Sequence, residues 1–206
     1  MISLLTCFKR VISLKHRIFM GSVVKRSAVL VVACASAAWA MPAFADQTDS
    51  RLDSLFEELR AGEALRAEEN IARIVAIWSE APSDTVTILY ARANESARAG
   101  EYELASALLD HVIGLAPSFA QGYALRGRVR LAENNRGEAI EDFSKAIELE
   151  PRHFEVRLTL ADILLAGNEK QDAYEMYQRV LEWNPHNEQA RQRARALRRE
   201  LDGQEI

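Results

Sequence analysis

AQGYALRGRVRLAENNRGEAIEDFSKAIELEPRH, residues 120–153, is one copy of a unit that occurs again on both sides of itself. Its closing proline belongs to a series, Pro82, Pro117, Pro151 and Pro185, in which each step equals the length of the unit to within one position. Three further columns keep that step without a gap: Ala105, Ala139, Ala173; Leu109, Phe143, Tyr177; and Val112, Ala146, Val180. Four columns in one phase mark a repeat array, in which each unit buries its apolar face on its neighbours.

The unit reads as two helices. Tyr123, Gly127 and Leu131 fall on one helical face. After the break at Asn134-Asn135, a second stripe runs through Ala139, Ile140, Phe143, Ala146, Ile147 and Leu149. Pro151 ends it, because proline lacks the amide proton and disfavours a helical residue before it. Ser118-Phe119-Ala120-Gln121 has the form of a capping box for the first helix.

These residues resemble the tetratricopeptide repeat, whose pattern places small residues where two helices cross and a proline at the close. In 120–153 the matches are Tyr123, Gly127, Ala139, Phe143, Ala146 and Pro151. In 154–187 they are Leu160, Ala161, Leu164, Ala173, Tyr177, Val180 and Pro185; in 86–119, Leu89, Ala93, Ala105, Leu109, Val112 and Pro117. The departures are Arg92 and Arg126 at a leucine slot, Ser96 and Arg130 at a tyrosine slot, and Arg157 at a tryptophan slot, which point to looser packing there. The resemblance implies an all-α fold: a right-handed α-solenoid of three helix pairs, 86–119, 120–153 and 154–187. It further implies a capping helix in 188–206. Residues 46–85 read as a degenerate first pair, with stripes Leu52, Leu55, Phe56, Leu59 and Ile71, Ile74, Val75, Trp78, and with Asn70 where the alanine column asks for a small apolar residue. Ser50 is its expected N-cap and Gly62 its break.

The last helix carries a narrow stripe of Ala190, Ala194, Leu197 and Leu201 among Arg191, Arg193, Arg195, Arg198 and Arg199. A terminal cap must be polar outside, and Glu175 and Glu182 offer internal partners for the arginines.

Charge separates the chain into two parts. Six of its 26 basic residues and none of its 30 acidic ones lie in 1–45, so the remainder is acidic by ten charges and repels nucleic acid. Lys25-Arg26, the apolar Ser27 to Ala40, Met41-Pro42 and Ala43-Phe44-Ala45 form the basic, apolar and small-residue zones of a secretory signal peptide. Cleavage after Ala45 and a periplasmic location follow as expectations, with Met20 as an alternative start. Val31-Val32-Ala33-Cys34 has the shape of a lipobox, so the competing expectation is a lipoprotein held to a membrane through Cys34. Both cysteines, Cys7 and Cys34, lie in this segment, which leaves the body no disulfide.

Enzymatic chemistry has no foothold here. There is no HExxH, no i,i+4 histidine pair and no glycine-rich phosphate loop, so no catalytic residue, cofactor or metal is expected. His111, His153 and His186 fall at helix ends or turns and read as exposed; Glu141 and Asp142 read as a solvated face. The expected activity is protein binding. By the resemblance, the first helix of each pair lines a concave groove: Thr87, Tyr90, Asn94 and Arg98; then Gln121, Ala124 and Arg128; then Glu155, Leu158 and Asp162. Tyr90, Asn94, Arg98, Gln121, Arg128, Glu155 and Asp162 are the expected peptide-binding residues, with Glu155 and Asp162 over the basic end of the partner. The family's clamp for carboxy-terminal carboxylates is not reproduced: Asn94 matches it, whereas Tyr90, Leu125 and Glu155 replace its lysine, asparagine and lysine.

Overall fold

The computed structural model describes residues 49–62 and 64–203; the signal-peptide, Met20 and Cys34 readings lie outside them. The described residues form nine helices and no strand. They are α1 (Ser50–Ala61), α2 (Ala64–Trp78), α3 (Asp84–Ala99), α4 (Tyr102–Leu115), α5 (Ala120–Ala132), α6 (Arg136–Leu149), α7 (Phe154–Ala166), α8 (Lys170–Trp183) and α9 (Glu188–Asp202). From α3 onward they stack as an α-solenoid of helix pairs, α3–α4, α5–α6 and α7–α8, with α9 on α8.

The periodic columns are the cores of the pairs. All nine residues of the columns led by Ala105, Leu109 and Val112 have no solvent exposure. Small residues let the helices approach: a methyl group on Gly127 would lie 2.6 Å from Phe143 Cε1. A fourth column sits in the turns. Gly100, Asn134 and Asn168, each one repeat after the last, all have positive φ, at 79°, 63° and 63°. Glycine and asparagine are the residues that enter this left-handed region at low cost, so the turn between the two helices of each pair repeats as faithfully as the core.

In the middle repeat the two departures, Arg126 and Arg130, are matched to a buried carboxylate rather than loosely packed. Asp142 is buried, and Arg126 donates to it from Nε at 2.9 Å and Nη2 at 2.7 Å, while Arg130 Nη1 donates at 2.8 Å. Arg126 also reaches Asp110 at 2.6 Å. Hydrogen bonding to Asp142 raises the Arg126 pKa. Asp142 is therefore the anchor of two arginines and not part of a solvated face. The guanidinium stems fill the apolar slots and their heads find a carboxylate.

Two caps differ from expectation. Asp49 caps α1, its Oδ1 accepting from Arg51 N at 2.9 Å, and Phe119 stands at the N-cap of α5 with no side-chain hydrogen bond. Asn187 caps α9 through Ala190 N at 2.8 Å. The α9 arginines pair locally, Arg191 with Glu188 and Arg198 with Asp202; Glu182 pairs with Arg179 and Glu175 with Gln171.

The first pair, α1–α2, packs against the last repeat. Leu52, Leu55, Phe56, Leu59, Ile74 and Trp78 share one core with Phe154, Tyr177, Val180 and Leu197. Phe56 meets Phe154 and Trp183 edge-on, at 6.3 and 5.7 Å between ring centres. Trp78 lies 4.3 Å from the His153 ring and donates from Nε1 to Glu150 at 3.3 Å. Arg152 ties the same turn to Asp53 at 2.7 Å and covers the Phe56 ring. His186 Nε2 is 3.1 Å from the Leu59 carbonyl oxygen. His153 is fully buried and His186 half-buried, so neither is the exposed turn histidine that the sequence suggested.

Candidate functional site

The first helices of the pairs carry register positions that recur once per repeat, and this brings Thr87, Gln121 and Glu155 to one end of a shared face. Asn94 and Arg128 come from the next two turns, and Arg98 lies one turn further along α3. Together with Tyr90, Ala91, Leu158 and Thr159 they line a groove with a volume of ≈ 720 Å³. The groove has an additional wall that the repeat pattern does not provide: Val75 and Ser79, from α2 and the turn after it. A smaller apolar recess of ≈ 300 Å³ opens beside it, floored by Ala97, Tyr102, Leu125 and Val129 under the same Asn94, Arg98 and Arg128.

Six of the seven expected residues thus meet: Tyr90, Asn94, Arg98, Gln121, Arg128 and Glu155. Asp162 does not join them. It accepts from the Tyr177 hydroxyl and, at 2.9 Å, from Gln189 Nε2, so it tethers α7 to α8 and α9.

The six differ in what they can still bind. Gln121 is buried, and its Oε1 accepts from His153 Nε2 at 2.8 Å. With the proton on Nε2, His153 Nδ1 is bare and has no hydrogen-bond partner. Burial, seconded by the charges of Arg128 and Arg157, lowers the His153 pKa to about 3, so the ring is neutral across the physiological range. Gln121 and His153 therefore form the rigid backing of the groove.

Tyr90 is half-buried, with its ring edge against Phe119 at 5.3 Å between centres. Burial raises its pKa, opposed by the Arg128 charge and by hydrogen bonding to Gln121 and Ser79. It is both a lining residue and a packing residue. Arg98 is exposed and Arg128 half-buried. Among the described residues neither forms a hydrogen bond or an ion pair, and Arg128 acts on the groove through its charge. Glu155, half-buried on the facing helix, has its pKa raised by burial and pulled back by Arg128. Among the described residues, no group of three or more His, Cys, Asp or Glu is placed to hold a metal ion.

The two histidine environments and the α2 wall could not be read from the repeat. The available signal was Trp78, a large aromatic in a pair that broke the alanine column, but nothing in sequence connects it to a turn 72 residues away.

Comparison with known proteins places this architecture. The tetratricopeptide repeat model matches residues 130–198. A TPR repeat-containing protein of Rhizobium etli is 25% identical over 154 residues, which is 74% of this chain and 76% of that protein. Among solved structures, the first TPR of Spaghetti (RPAP3), bound to the HSP90 peptide SRMEEVD, aligns with a TM-score of 0.54 at 20% identity, covering 59% of this chain and 97% of that one. The Yersinia enterocolitica type III secretion chaperone SycD, in complex with a peptide of the translocator YopD, gives 0.53 at 19% identity over 57% of this chain and 95% of its own.

Proposed function

Since the chain belongs to the tetratricopeptide repeat family, we propose that it is a non-enzymatic interaction scaffold that holds a segment of a protein partner in the concave groove. One observation carries this reading. The groove gathers six polar or aromatic side chains from three repeats, yet Arg98 and Arg128 form no hydrogen bond and no ion pair among the described residues. Arginines positioned in a cleft without a hydrogen bond or ion pair of their own are ready to bind carboxylate or carbonyl oxygen from outside. The peptides bound by SycD and by the Spaghetti repeat show that the same fold accommodates such segments in other proteins. The test is capture of partners by the purified protein, followed by affinity measurements on variants. Arg128→Ala should weaken the captured partner by about 1–2 kcal/mol, and Glu141→Ala, on the exposed side of α6, should leave it unchanged. Equal binding by parent and Arg128→Ala would move the site elsewhere.

The same proposal places the protein in the periplasm. Its support is the order of basic, apolar and A-x-A zones ending at Ala45. The specific alternative, a membrane-held lipoprotein, is supported by Val31-Val32-Ala33-Cys34. The mass of the mature protein separates them: Asp46 at an unmodified amino terminus, or Cys34 carrying acyl chains.

A further inference from the structure

The groove is chemically polarised. At one end, three hydroxyl groups have their protons directed at backbone carbonyls. Ser79 donates to Val75 O at 2.8 Å, Thr87 to Ser83 O at 3.0 Å and Thr159 to Glu155 O at 3.1 Å. A hydroxyl whose proton is engaged can only accept, so Thr87 and Thr159 present lone pairs to the groove, and Ser79 shares its own with the Tyr90 hydroxyl. The Glu155 carboxylate stands among them; among the described residues it accepts no hydrogen bond and forms no ion pair. The Arg128 charge offsets part of what this carboxylate loses on burial, but no donor is hydrogen-bonded to it, and an incoming donor recovers the remainder. At the other end stand Arg98 and Arg128, which can only donate.

We propose that the Ser79–Thr87–Thr159–Glu155 end of the groove is a cation subsite, which takes an ammonium group of the bound segment while its acidic group lies against Arg98 and Arg128. The inference rests on the reading of the groove as a peptide site. An ammonium suits this end because its three N–H donors can be shared among the carboxylate and hydroxyl oxygens. The α2 wall supplies one of the hydroxyls, so the subsite exists only because the first helix pair folds back onto the array. Thr87 and Arg98 are eleven positions apart on α3, about 16 Å along the helix. An extended peptide covers that distance in about five residues. The partner segment therefore carries an acidic and a basic group about five residues apart.

The test uses the purified protein and fluorescent nine-residue peptides with blocked ends, each holding one Glu and one Lys. Their separation runs from two to eight positions in both orders, and binding is followed by anisotropy. Binding should peak near a separation of five, in one order. Acetylation of the Lys should weaken it about ten-fold, as should Glu155→Gln, which keeps the side-chain shape and is checked by circular dichroism. A second set replaces the Lys by a free amino terminus at the same distance and reports whether an α-amine serves as well. Arg98→Ala should remove the dependence on Glu and leave the dependence on Lys. If the peptides bind but neither Lys acetylation nor Glu155→Gln matters, the cation subsite is wrong and the groove reading stands. If no peptide binds the folded protein, both are wrong.

Discussion

The pairs from α3 to α8 and the pair α1–α2 are built from the same kind of amphipathic helix, yet they are held in different ways. In the repeats, each helix buries its stripe on a partner one turn away in sequence, through columns that return once per unit. In α1–α2 the stripe is just as complete, with Leu52, Leu55, Phe56 and Leu59 almost fully buried, but its partners lie at the far end of the array. The repeats are stabilised by many equivalent short-range interfaces. The first pair depends on a few large rings and on two turns, around His153 and His186. The comparison shows that burial alone does not make a helix pair a member of the stack. The first pair lacks one of the small residues that let the two helices of a repeat cross closely, and its stripe is buried on the last repeat instead. Asn70 stands where Ala105, Ala139 and Ala173 stand in the repeats.

The sharpest way to break the contrast is Trp78→Ala. The indole is buried against Phe56, Phe154 and His153, and its removal should cost about 3–5 kcal/mol in urea unfolding. Hydrogen exchange should then show α1–α2 losing protection ahead of α5–α6; uniform loss over all helices would mean that the pair is one cooperative unit with the repeats. In the repeats, Ala139→Leu forces a larger side chain into a fully buried helix crossing and should cost about 1–3 kcal/mol, with α1–α2 protection following only the global change. An unchanged melting temperature would remove Ala139 from the crossing.

Acid tests the same contact chemically. His153 has a native pKa of about 3 against an ordinary value of 6.5, so the unfolded chain binds the extra proton first. The stability that the neutral ring provides is present above pH 6.5 and is lost as pH falls from there towards 3, at about 1.4 kcal/mol per pH unit. His153→Gln should flatten that part of the pH profile, and an identical slope in parent and variant would assign the acid sensitivity to other groups. The smallest effect belongs to Asp53→Asn. Its pair with Arg152 reaches from α1 to the Pro151 turn, but the Asp53 side chain is 73% exposed, and such pairs contribute under about 1 kcal/mol. A larger loss would mean that Arg152 needs Asp53 to hold its place over Phe56.

The sequence by itself determined the repeat. A fixed period carries its own register, and a register puts Thr87, Gln121 and Glu155 on one level and Asn94 and Arg128 on another before any contact is known. That is why six of the seven expected residues meet in one groove. It could not show that Asp162, at the level of Arg128, is turned to Tyr177 and Gln189, because that depends on which side chains of α8 and α9 arrive beside it. Nor could it show that Asp142 is the buried partner of Arg126 and Arg130, since a carboxylate beside Glu141 looks solvated until the arginines of α5 are laid across it. The tertiary structure alone decided where α1–α2 goes, and with it the burial of His153, the α2 wall and the acceptor-rich end of the groove. The physical reason is range. Repeat contacts recur at a fixed separation and leave a periodic trace, whereas the bonds of Trp78 to Glu150 and of His186 to Leu59 span 72 and 127 residues, occur once, and leave none.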